Sequence, residues 1–169
     1  MLIETPYNRE EAIKYAATWA FKRNPQYYDF HDIGGDCTNF VSQCIFAGAK
    51  VMNYTPTFGW YYISPEDRAP SWTGVPYLYQ FLTTNTSVGP YAIETEAKNM
   101  QPGDVIQLGN EEGNFYHTLI VVATRRVPSP RTIYIATHSE DAYMRRLRSY
   151  NYYQARYLHI QGVRTWSEP

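Results

Sequence analysis

A chain of 169 residues with 44% hydrophobic and 18% charged residues is the size of one domain with its own core, which excludes a disordered or fibrous chain. A formal net charge of −1 at pH 7 excludes general electrostatic attraction to nucleic acid or to an anionic membrane surface. No apolar run reaches the length of a membrane span, and the N-terminus Met1-Leu2-Ile3-Glu4-Thr5-Pro6 carries no signal peptide, so the expectation is a cytoplasmic protein or one whose export segment lies outside this chain.

In chain order, Asn8-Arg9-Glu10-Glu11 reads as a helix start, with Asn8 as the cap and Ala12, Ile13, Ala16, Ala17 and Ala20 along one side. Asn24-Pro25 ends that pattern. The following segment carries Tyr27, Tyr28 and His31 toward a glycine pair. Gly34 and Gly35 then free the backbone for a tight approach, and Cys37 opens a second helical run in which Phe40, Val41, Cys44, Ile45 and Ala47 recur at three- and four-residue steps. Gly48 reads as its C-terminal cap.

A thiol at the first position of a helix faces unpaired N–H groups and the positive end of the helix dipole, both of which favour the thiolate. Cys37 therefore stands where a nucleophile would, with Asp36 beside it as a charge opposing that effect. Cys44 lies about 10 Å further along the same helix, too far for a disulfide, and reads as a small buried residue.

From Met52 to Pro70 the chain is rich in proline, glycine and aromatics without a clear period. Trp60, Tyr61, Tyr62 and Trp72 make this stretch the expected rim of a cleft. Ser71 or Thr73 is expected to cap a short helix with Val75, Leu78, Tyr79 and Leu82 facing inward. Strand grammar follows: Val105 to Leu108, the almost continuously apolar run 117–124 opened by His117, then Thr132 to His138, and Arg156 to Val163. Helices first and hairpin-connected strands afterwards predict an α+β domain over residues 1–169, with N-terminal helices packed on a C-terminal antiparallel sheet.

If the strands bearing His117 and His138 pair antiparallel, the start of one lies beside the end of the other, and both imidazoles can meet at one sheet edge. A helix packed against that edge would bring Cys37 to them. Thiol, imidazole and an orienting polar group form the set a cysteine nucleophile needs. His31 and His159 read as structural, and Arg145, Arg146 and Arg148 as a solvated face.

The segments GGDCTNFVSQC, YNREEAIKYAATWAFKRNPQYY and PGDVIQL, with His117-Thr118 and Ala136-Thr137-His138-Ser139, together resemble the bacterial "putative amidase" domain family. That family is similar to the papain-like group of cell-wall amidases and endopeptidases, including CHAP domains, and the resemblance runs over nearly the whole chain. It implies a papain-like fold and a cysteine-dependent amidase without cofactor or metal. The amide would lie in peptidoglycan or a related peptide, and the protein would be secreted or wall-associated if exported. It further implies Cys37 as nucleophile, His117 as base and His138 as third member, with Asp141 in reserve. Tyr27, Tyr28 or Asn39 would supply a second oxyanion donor, and Trp60 and Trp72 would line the substrate groove.

Two other readings stay open. Cys37, His117, His138 and Asp141 could ligate zinc, although no close-spaced ligand pair is present. A module of the same fold could also bind glycan or peptide without turnover.

Overall fold

The computed structural model describes residues 1–168. Strand β1 (Leu2–Thr5) leads into α1 (Arg9–Trp19), whose N-cap Asn8 accepts the Glu11 N–H through its side chain. Ala12 and Ala16, with Ala20 at the cap, are fully buried, so α1 lies close on α2 (Cys37–Ala49). Helix α1 stops at Trp19, and the chain turns there well before Asn24-Pro25.

Helix α2 is buried nearly all round, eleven of its thirteen residues being buried, as expected of a helix at the centre of a core, and its polar Asn39 and Ser42 accept from the indole N–H groups of Trp72 and Trp60. Gly48 is part of the helix, and the cap is Lys50 in the left-handed region (φ 64), its N–H on the Phe46 carbonyl at 2.8 Å. Gly48 serves a different purpose. A Cβ there would stand 2.5 Å from the Asn8 carbonyl and 2.7 Å from the Tyr7 ring, so its missing side chain lets the chain entering α1 cross α2.

Next come the small hairpin β2 (Tyr62–Ser64) and β3 (Asp67–Arg68), then α3 (Pro70–Thr73) and α4 (Val75–Thr84). Gly74, not Ser71 or Thr73, sits at the N-cap of α4, and Leu78, Phe81 and Leu82 point inward. The large sheet holds seven antiparallel strands: β1, β4 (Gly89–Thr95), β5 (Val105–Gly109), β6 (Phe115–Thr124), β7 (Ile133–Thr137), β8 (Ala142–Arg146) and β9 (Gln154–Trp166). The order β9-β5-β6-β7-β8 is a meander closed by the last strand. Thirteen residues long, β9 pairs with β5, β4 and β1 in turn.

The sheet separates two apolar clusters. Residues Ile120 and Val122 of β6 pack with α1, α2 and α4, whereas Leu119 and Val121 face a smaller cluster with Leu108, Ile135 and Leu147. The architecture is α+β, with helices on an antiparallel sheet, as the order of elements predicts. Among the described residues no helix is long and apolar enough to cross a membrane.

Candidate active site

Gly34 (φ 81) and Gly35 (φ 93) both lie in the left-handed region, and the turn they make delivers Asp36 and Cys37 to the head of α2. Asp36 does not cap the helix. One of its oxygens accepts from the Phe30 N–H at 2.8 Å and from Asn39 Nδ2 at 2.9 Å, and the other meets His138 Nδ1 at 2.5 Å. The carboxylate is therefore spent on holding the loop.

Cys37 is only 6% exposed. Its sulfur lies 3.8 Å from Thr38 Oγ1 and accepts the backbone N–H of Thr118 on β6, while the Thr38 and Thr118 hydroxyls meet at 2.9 Å. Burial pushes the thiol pKa up, more than the N–H of Thr118 and the hydroxyl and N–H of Thr38 pull it down, and Asp36 adds to the rise. The helix-terminus argument predicts the opposite direction. Desolvation outweighs it here because almost no water reaches the sulfur.

His117 directly precedes Thr118. Because Thr118 faces α2, strand alternation turns His117 to the other side, where its ring centroid stands 5.8 Å from that of Tyr150. Burial, and then the Arg145 guanidinium, lower its pKa to about 4, so the imidazole is neutral at ordinary pH. Thiol and imidazole thus reach the same strand end through adjacent residues, with no hydrogen bond between sulfur and ring among the described residues. An open cleft of about 620 Å³ lies on the His117 side, lined by His117, Tyr150, Arg145, Glu140, Ser139 and His31 among others.

The other expected site residues are arranged differently. His138 is buried, with Nδ1 on Asp36 and Nε2 on the Trp19 carbonyl at 2.8 Å, and its ring stacks on Phe40 at 4.1 Å. With both nitrogens taken, it has none left to orient His117. Asp141 is held by Arg23 through two bonds of 2.8 and 3.1 Å. Among the described residues no group of three His, Cys, Asp or Glu side chains is set to hold a metal ion.

Trp60 and Trp72 are not a rim. Both are 0% exposed, packed 4.7 Å apart, with their indole N–H groups on Ser42 Oγ and Asn39 Oδ1. Asn39 is consumed by Trp72, Asp36 and the Tyr28 carbonyl, so it has no donor left for an oxyanion. Tyr27 is half-buried, stacked on Trp72 and tilted against Tyr62, whereas Tyr28 is 45% exposed beside Phe30. His159 is structural, bonded to Asp104 at 2.9 Å.

Arg145 and Tyr150 were not legible as site residues. Arg145 is not part of a solvated face: its Cζ lies 3.6 Å from the Tyr150 ring centroid, and its Nε and Nη2 donate to Ser149. The one available signal was the Arg145-x-x-x-x-Tyr150 spacing across a turn after a strand, which does not stand out in a chain with 17 tyrosines.

The α+β frame thus carries a thiol and a neutral imidazole at one strand end, beside a cleft lined with ionisable groups. The chain belongs to the family described as "Putative amidase domain", whose model matches residues 6–161, and the family's name is that of a hydrolase. It is 39% identical over 121 residues to the protein named "Uncharacterized protein YhbB" of Bacillus subtilis (strain 168), an alignment covering 69% of this chain. The match spans 37% of the length of that relative. No solved structure matches the chain.

Proposed function

We propose that the protein is a cysteine-dependent hydrolase of amide bonds, with Cys37 as nucleophile and His117 as base, within a papain-like fold. The observation that carries this reading is the approach of the Cys37 sulfur to β6 at the residue next to His117, whose imidazole is neutral and able to take a proton. Hydrogen bonds of this kind are often long in a substrate-free site and shorten when substrate binds.

The Cys37 proton passes to His117 as the sulfur forms a bond to the substrate carbonyl carbon, and the carbonyl π pair moves to oxygen. Collapse of that oxyanion breaks the C–N bond, and the amine leaves with the proton from His117. Water, deprotonated by His117, then attacks the thioester, and the thiolate departs and recovers the proton. His138 and Asp36 enter only as the pair that fixes the loop before Cys37. The substrate class the family resemblance favours is a peptide or peptidoglycan fragment.

Product masses after incubating muropeptides with wild type, Cys37→Ala and His117→Ala test this. Wild type should release one fragment gaining the mass of water, and both variants should release none. Turnover by Cys37→Ala at the wild-type rate would remove the thiol from the mechanism. No turnover by any of the three would favour a binding module, a reading to which the near-burial of Cys37 lends some support.

A further inference from the structure

Buried polar groups nearly always find a hydrogen-bond partner, because a buried donor left unmet keeps the full cost of losing water. The Tyr150 hydroxyl departs from that rule: it is shielded from solvent, the Arg145 guanidinium that approaches it can only donate, and no acceptor meets its O–H among the described residues. The group is nevertheless held firmly. The Arg145 guanidinium covers one part of the ring at 3.6 Å, His117 stands at 5.8 Å, and Ser149 anchors Arg145. Tyr150 also shares with His117 the wall of the open cleft.

We propose that Tyr150 is a catalytic residue whose hydroxyl donates to the substrate's carbonyl oxygen as that oxygen becomes an oxyanion. The proposal rests on the cysteine-hydrolase reading above. No bond to Tyr150 is made or broken. Its O–H stays intact, and the hydrogen bond strengthens as the π pair moves onto the oxygen and relaxes as the amine leaves. A donor that substrate uncovers on entering the cleft, and that meets its acceptor only during reaction, is what transition-state stabilisation needs, and an unmet O–H in the resting protein is its cost. Burial raises the phenol pKa, opposed by the Arg145 guanidinium and helped by the Glu140 carboxylate, so the group keeps its proton at neutral pH. Asn39, one of the three side chains the sequence offered for this role beside Tyr27 and Tyr28, has its donors occupied.

Two reagents that reach the same sulfur by different routes test the assignment. p-Nitrophenyl acetate acylates a thiol through a tetrahedral oxyanion, whereas iodoacetamide alkylates it by displacing iodide and forms none. Relative to wild type, with Cys37→Ala as background, Tyr150→Phe should acylate about 100-fold more slowly, the usual loss for one oxyanion donor. Its alkylation rate and the pH dependence of alkylation should not change. Unchanged acylation overturns the proposal. So does a parallel fall in both rates, which would locate the effect in the thiol–imidazole pair or in the fold. The urea midpoint of Tyr150→Phe should equal or exceed that of wild type, since no hydrogen bond is lost. A lower midpoint would reveal a structural partner for the hydroxyl and overturn the proposal as well. If wild-type Cys37 reacts with neither reagent, the hydrolase reading fails and this one with it, whereas a Tyr150-specific failure leaves the nucleophile intact.

Discussion

Burial drives both His117 and Cys37 toward their neutral forms, so the resting pair is an imidazole and a thiol, not an imidazolium and a thiolate. Activity that needs a neutral His117 should therefore persist well below neutral pH. The acid limb of kcat/KM is expected at about 4, and Arg145→Gln should move it upward by removing the charge that opposes the imidazolium. An unmoved limb in that variant would dissociate Arg145 from the proposed base. The same shift affects stability. Between the ordinary imidazole value of 6.5 and about 4 the unfolded chain binds a proton that folded His117 refuses, so stability falls as pH falls across that window and levels off below it. Urea midpoints against pH should show this slope in wild type and lose that component in His117→Gln. Iodoacetamide should label Cys37 with a midpoint above the ordinary thiol value of 9.0, while Cys44, fully buried, should stay silent until the protein unfolds. At this scale the sequence revealed residue types and spacing but not solvent access. The sign of the Cys37 shift and the saturation of His138 both depend on burial and on partners distant in the chain, Trp19 among them.

At the scale of elements, the loop entering α2 hangs on the Asp36–His138 pair. Removing one partner strands a buried polar group, so His138→Ala should cost about 3–5 kcal/mol by equilibrium denaturation. A residue that merely oriented His117 would lose activity with stability intact, which gives the measurement its force. The indole pair behind α2 is a second such element: Trp60→Ala should cost about 3–5 kcal/mol by equilibrium denaturation, because the side chain is fully buried. Long periodic segments were legible, namely α2, α4 and β5, β6, β7 and β9. Strands β1, β4 and β8 were not. Their patterns are short, with polar residues such as Glu4, Glu94 and Arg145 in them, and what makes them strands is a partner: β9 for two, β7 for the third. Trp60 and Trp72 misled for a related reason, since a proline- and glycine-rich stretch without period can still enclose core.

Across the whole molecule, Asp104 is the tie between layers. Fully buried, it accepts from Arg9 of α1, from the Gln101 and Ile160 N–H groups and from His159, each at 2.9 Å. Asp104→Ala should lower the melting temperature of the whole protein in one transition, and helix and sheet signals that melted apart would refute such a tie. The longest strand has a consequence for assembly. Leu2 pairs with Trp166, and β1 and β4 both take their places against β9, so two strands present early in synthesis wait for the last one. While the ribosome is still making that segment, their open backbone edges are templates for a neighbouring nascent chain, and a ribosome stalled before Gln154 would leave a polypeptide prone to clump with its own kind rather than a smaller folded domain.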